Sequence, residues 1–326
     1  EWQRSWRSGD VRDVHHELEE LTRDLICEAM FGSSMMNDAK RVGLAVQNLN
    51  AHFHQLTLPF QEIWRHLPLP GVHEINESVR ILDETIIKLV AQGRESGKYE
   101  GDVLSMLLAA QDTEGDTPSL NNAEVRDQVA TLFFAGHETV CSALTWTLYL
   151  LARHPEIQQA VREEIEQSIR DTTISYANTQ GLRYTHAVVS ESMRLLPPVW
   201  AIGRQARVDL ELGGYKIRKG TSLVLPQFLA HRDKRWWPEP LVFDPDRWLA
   251  NQEKTRPRFA YFPFGGGRRT CIGERFASME ILILLTSFVR EWNFSVCEET
   301  DDPPEFLVGL TLGPRKGMQL RIQSAS

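Results

Sequence analysis

Apolar residues recur at helical spacing over most of this chain. Leu18, Leu21, Leu25 and Ile26 share one face, and residues 1–31 read as helix from the start. Residues 37–101 carry two or three more helices, joined by the Pro-rich turn LPLPG at 67–71. Asp102 predicts an N-cap for the short helix VLSMLLAAQ, which TEGDTPS ends. Asn121 with Glu124 predicts an Asn version of the capping box. From there Val129, Leu132, Gly136, Val140, Leu144, Leu148 and Leu151 mark one face down to Arg153. About 33 residues at a rise of ~1.5 Å span roughly 50 Å. Apolar residues cover much of that helix's girth, which predicts a course through the middle of the protein. Pro155 opens the next helix, and another runs from about Leu182 to Leu196 before Pro197-Pro198.

The pattern then changes. AIGRQARVDL, GYKIRKG and TSLVLPQ read as short strands, followed by the irregular Pro/Trp-rich HRDKRWWPEPLVFDPDRW. A last long helix begins near IGERFASMEILILLTSFV, and FLVGLTLGPRKGMQLRIQ reads as a hairpin. The sum predicts a mainly α fold with small β-sheets (α+β). With no linker in sight, residues 1–326 read as a single domain.

Composition narrows the classes. With 42% hydrophobic residues the 326-residue chain can bury a sizeable core. A net charge of −8 argues against nucleic acid as a partner. No apolar run is long enough to be a membrane segment, and EWQRSWRSGD is no signal peptide. Cysteines at 27, 141, 271 and 297 form no CxxC pair or zinc-like spacing, so a reduced, cytoplasmic setting is the simplest reading.

The chemistry centres on FPFGGGRRTCIGER, Phe262 to Arg275. It sets Cys271 after a glycine-rich turn and before an apolar helix. Helix N-terminal N–H groups favour a thiolate, and a sheltered thiolate is a good ligand for haem iron. Taken alone, such a Cys is more often a buried structural one. A phosphate-cradling loop is excluded, because no Lys-Ser or Lys-Thr follows the glycines.

Phe264, Gly267, Arg269, Cys271 and Gly273 fit FxxGxRxCxG at every fixed position. This resembles the haem-binding loop of the cytochrome P-450 family. Further motifs agree. Ala135-Gly136-His137-Glu138-Thr139, within the long helix, is similar to the family's oxygen-activation motif. There Thr139 would be the alcohol and Glu138 the acid of a proton relay, and Gly136 would let a flat ligand lie against the helix. An ordinary helix with a packing glycine fits the same residues. Glu191 and Arg194 resemble the ExxR motif, and Phe243, Pro245, Arg247 and Trp248 fit FxPxR followed by an aromatic. Arg247 would close a charge network pinning the cysteine loop.

The resemblance implies a haem-dependent monooxygenase that inserts one oxygen atom of O2 into a small hydrophobic substrate. The cofactor would be haem b (iron protoporphyrin IX), with Cys271 on the iron and Phe264, Gly267, Arg269, Gly273, Arg204 and Gly136 around it. Arg269 and Arg204 would pair with haem propionates. Trp200, Ala201, Ile202, Phe133, Phe134, Leu310 and Thr311 match substrate-lining segments, with core packing as their alternative. Electrons would come from a separate donor protein, a flavoprotein reductase or a ferredoxin. Lys234, Arg235, Lys254, Arg256, Arg258, Arg268 and Arg275 offer a basic face for it, with an ordinary solvated surface as the alternative. The stretch DVHHELEELTRDLICEAMFG matches the middle of the family's fold, which implies that the family's N-terminal part is absent. A peroxide-rearranging haem-thiolate enzyme and an inactive haem-binding or interaction protein are the rival readings.

Overall fold

The computed structural model describes residues 2–32, 39–52, 71–96, 102–109, 120–169, 173–249, 256–297 and 304–325. The expected turn at 67–71, Gly71 excepted, and the breaker at 113–119 lie outside them. The described residues form two compact units. One takes Glu1–His15, Ser142–Leu307 and Thr311–Ser326; the other takes His16–Cys141 and Val308–Leu310. Two of the crossings, after His15 and after Cys141, fall inside helices, and the other two lie at Leu307 and Leu310.

The second unit is helical. It holds α1 (Val14–Phe31) from His16 onward, then α2 (Ala39–Ala51), α3 (Val72–Ser96) and α4 (Val103–Ala109). It also holds the first twenty residues of the long α5 (Asn122–Arg153). Its core joins Ile26, Met30 and Phe31 of α1 to Val42 and Val46 of α2, Leu82 and Leu89 of α3, and Val125, Val129 and Phe133 of α5. Both expected caps form. The Ser105 amide donates to Asp102 Oδ1 at 2.7 Å. The Ala123 and Glu124 amides donate to Asn121 Oδ1, and Glu124 Oε2 accepts the Asn121 amide at 2.8 Å. Such a box satisfies donors that a helix start leaves orphaned.

The first unit mixes helices and small sheets. Ser142–Ala152 of α5 are buried without a break. Pro155 opens α6 (Pro155–Ser168), followed by α7 (Tyr176–Thr179) and α8 (Arg183–Leu195). Strand β2 (Ile202–Gln205) pairs antiparallel with β5 (Ser222–Leu225), and β3 (Leu210–Leu212) with β4 (Tyr215–Ile217). The short α9 (Gln227–Ala230) and the long α10 (Glu274–Glu291) bracket the irregular segment and the cysteine loop.

Two expectations about the ends are corrected. The first thirteen residues are not helical throughout: Trp2–Ser5 make a 3-10 turn, and Val11–Asp13 form β1. Leu18 and Ile26 do line the buried face of α1. The stretch before it serves the first unit instead, where Trp6 is buried edge-on against Trp292 and Phe294, 5.5 and 6.0 Å between ring centres. The C-terminal stretch is more than one hairpin. β7 (Phe306–Val308) and β8 (Leu312–Pro314) pair, but β9 (Gln319–Ser324) leaves them to form the centre of a sheet ordered β1-β9-β6, with β6 at Trp292–Val296. Its register sets Val11 against Arg321 and Phe294 against Ile322. The sheet pairing claims the polar backbone of residues whose apolar spacing alone suggested helix or hairpin.

Candidate active site

The loop from Phe262 to Gly273 is built on glycine geometry. Gly265 and Gly267 have φ of 75° and 71°, left-handed values that side chains with a Cβ adopt at a cost. A Cβ on Gly266 would stand 2.5 Å from the Phe259 ring. Hydrogen bonds then close the loop. The Gly265 amide donates to the Phe262 carbonyl at 2.9 Å, and the Cys271 amide donates to the Phe264 carbonyl at 2.9 Å. Helix α10 starts at Glu274 with Gly273 as its N-cap. Cys271 therefore precedes the first turn rather than lying within it. Its sulfur still leans on the cap, 3.8 Å from where a Gly273 Cβ would be.

Cys271 is the exposed thiol among the four cysteines. Cys27 and Cys141 are buried, and burial pushes the Cys27 thiol up to about 12. Cys297 is half-buried and turned to the Gln319 carbonyl. Arg269 is exposed on the same loop. Ile202 of β2 reaches the loop, 3.4 Å from a built Gly265 Cβ. Side chains two apart on a strand share a face, so Arg204 stands on the side of β2 that meets the loop. Arg204 is exposed and donates only to its neighbour's carbonyl, Gly203, among the described residues. An exposed thiol and an exposed guanidinium on one loop, with a second exposed guanidinium on the strand that meets it, are a donor set that fits an iron centre carrying anionic arms.

Behind the loop sits a buried charge network. Glu191 and Arg194 of α8 are both 0% exposed. Arg194 donates Nε and Nη2 to the two Glu191 oxygens at 2.7 and 2.8 Å. Arg247 Nε adds a third bond at 3.2 Å, the Trp248 indole a fourth at 2.9 Å, and the Asp244 amide a fifth at 3.1 Å. The remaining arginine donors are met by carbonyls: those of His231, Pro240 and Val242 for Arg194, and those of Pro238 and Glu239 for Arg247. Satisfied donors and acceptors are what make a buried ion network tolerable. Trp237 is packed beneath it, with Arg194 and Arg256 over its ring at 5.0 and 4.1 Å.

The network is tied to the loop by residues that sequence reasoning missed. The His231 ring accepts the Phe262 amide at 2.9 Å, and Gln227 donates to the Phe262 carbonyl. The Trp237 indole donates to Ala260 at 3.1 Å, and Tyr261 donates to Ser190 at 3.1 Å. A His and a Gln in a stretch without periodicity gave no signal of their own. Burial pushes the His231 imidazole down to about 3, helped by the charges of Arg194 and Arg232 and opposed by the Met193 backbone.

The helical motif is rearranged. Gly136 does not leave α5 open to a flat ligand, for Ile26 of α1 fills the space. An added Cβ would meet its Cδ1 at 2.8 Å. His137 is buried, bonded to the Phe133 carbonyl at 3.2 Å, and desolvation lowers its pKa. Thr139 donates to the Ala135 carbonyl at 2.7 Å. Ala135 is the exposed residue of that turn. Phe133 is core, at 2% exposure. In the basic run Arg256 is committed to stacking and Arg235 to Asp233, whereas Lys234, Arg258, Arg268 and Arg275 are exposed. Lys254 lies outside the described residues.

The family model for cytochrome P-450 matches residues 1–321. Cyclooctatin synthase of Streptomyces melanosporofaciens is 33% identical over 317 residues, which covers 95% of this chain and 68% of that protein. Pentalenene oxygenase of Streptomyces avermitilis is 32% identical over 92% of this chain and 66% of its own length. Cyclooctat-9-en-7-ol 5-monooxygenase of S. melanosporofaciens is 30% identical over 88% and 63%. The chain thus spans about two thirds of these curated relatives. A loop motif complete at five positions, its buried carboxylate–arginine support and a match along nearly the whole sequence lead to one conclusion: the chain belongs to the cytochrome P-450 family.

Proposed function

We propose that this chain carries the site of a haem-dependent monooxygenase acting on a small hydrophobic substrate. What supports the reading most is the single exposed thiol, Cys271, on a loop fastened to a fully satisfied buried network. When bound, iron protoporphyrin IX would supply activation of O2, so that one oxygen atom enters the substrate and the other leaves as water. Cys271 would hold the iron as thiolate, and Arg269 and Arg204 would receive the propionates through charge-assisted bonds. Phe264, Gly267 and Gly273 would shape the backbone that lets a flat group approach. Thr139 Oγ1 already spends its proton on Ala135. Its oxygen is left to accept, so it would hold a proton arriving from Glu138 rather than originate one.

Relatives named for pentalenene and cyclooctat-9-en-7-ol support a hydrophobic substrate. Electrons would come from a flavoprotein reductase or a ferredoxin. No described helix is long and apolar enough to cross a membrane.

The test is the absorption spectrum of the reduced, CO-treated protein. The red-shifted band of a thiolate-bound haem is expected, lost in Cys271→Ala and kept in Cys27→Ala and Cys141→Ala. A band that survives Cys271→Ala would overturn the ligand assignment. Substrate turnover with an added donor system then separates the monooxygenase from an inactive haem-binding protein.

A further inference from the structure

We propose that His231 and Gln227 are positioning residues that set the place of Cys271, by clamping the backbone of Phe262 to the Glu191–Arg194–Arg247 network. The proposal rests on the reading of Cys271 as the iron ligand. Both side chains are fully buried. They are four apart, bracketing the single turn α9, so they leave it on the same side. His231 Nε2 accepts the Phe262 amide at 2.9 Å, and Gln227 Nε2 donates to the Phe262 carbonyl. The two thus hold both polar groups of one peptide position.

The clamp is anchored at its far end. The carbonyl of His231 accepts Arg194 Nη1 at 2.9 Å, so one residue takes the network on its backbone and the loop on its ring. Aromatic rings fix that ring's plane: Tyr261 at 5.0 Å and 41°, Phe262 at 5.2 Å and 85°. Onward from Phe262 the path is short. Two residues later the Phe264 carbonyl accepts the Cys271 amide at 2.9 Å. Because Nε2 accepts, the ring's single proton must lie on Nδ1, facing the Met193 backbone at a geometry too loose for a full bond. A ring protonated on both nitrogens, or a side chain without an acceptor there, leaves the Phe262 amide facing a fully buried side chain without a partner.

A merely space-filling His231 would tolerate Phe, whose ring fills nearly the same volume. The clamp predicts otherwise. In the haem-loaded chain, His231→Phe should raise amide hydrogen exchange at 262–271 by about tenfold, the population equivalent of one buried hydrogen bond. It should also shift part of the ferrous–CO band from the thiolate to the neutral-thiol position. His231→Gln, which places an acceptor oxygen near Nε2, should restore both. If His231→Phe does not fold, Gln227→Met tests the other jaw by the same two readings. Unchanged exchange and an unchanged band in a folded His231→Phe or Gln227→Met variant would overturn the clamp while leaving Cys271 as ligand. Cys271→Ala run alongside keeps the two ideas apart, since a band that survives it condemns the ligand reading, whatever the His231 variants do.

Discussion

Thr139 and Gly136 sit three residues apart and were read from the same motif, yet the structure gives them different standing. Thr139 keeps its bond to Ala135. In Thr139→Ala, haem content should hold while product formed per NAD(P)H consumed falls and peroxide rises. A coupling ratio equal to that of the parent would reduce Thr139 to packing. Gly136 was legible as a glycine that something must approach, but not what approaches it. That answer is Ile26, whose identity depends on tertiary packing over a hundred residues away. Overpacking of this kind typically costs about 1–3 kcal/mol. Gly136→Ala should therefore lower thermal stability by that order, and Ile26→Ala in the same chain should recover part of it. A Gly136→Ala variant as stable as the parent would show that Ile26 moves aside freely. Glu191, Arg194 and Arg247 were readable because helical spacing and a short motif name them. His231 and Gln227 were not, because their role comes from a chain reversal that no periodicity records.

Among elements, the helices were the most legible and the terminal strands the least. A helix announces itself by caps and spacing within its own sequence, as Asn121, Glu124 and Pro155 do. A strand of three residues such as β1 is defined by its partner, and that partner lies at the other end of the chain. The irregular segment between α9 and α10 shows a third case, where order comes from side chains rather than backbone ladders. Its carbonyls at 238, 239, 240 and 242 are claimed by two arginines. Removing Glu191 would leave both arginines buried and uncompensated, at a cost of about 3–5 kcal/mol. Glu191→Ala should lose soluble yield and haem together. A variant that is soluble, holds haem and only turns over slowly would contradict the structural role.

For the molecule as a whole, two buried titratable groups of the first unit oppose each other across the pH range. Burial holds the Glu280 carboxyl up at about 7 against an ordinary 4.5. The fold keeps that group neutral, so its contribution is fully present below about pH 4.5 and lost as pH rises through 7. His231 runs the other way: its contribution is present above about 6.5 and drains as pH falls toward 3. Glu280→Gln, which stays neutral, should therefore match the parent at pH 4 and exceed it above pH 7 by on the order of 3 kcal/mol. Melting temperatures from pH 4 to 9 decide this, and a gain that does not grow with pH would refute it. The β1-β9-β6 sheet has a bearing on time as well as on shape. Val11 faces Arg321, 310 positions later (321 − 11), with Asp13 opposite Gln319. A ribosome adding about 5–20 residues per second leaves β1 without its neighbour for roughly 15–60 s. The second unit is almost one contiguous run, 16–141, and can gather its core during that wait. Synthesis thus sets an order among these residues: the helices of the second unit first, and the seam between β1 and β9 after them.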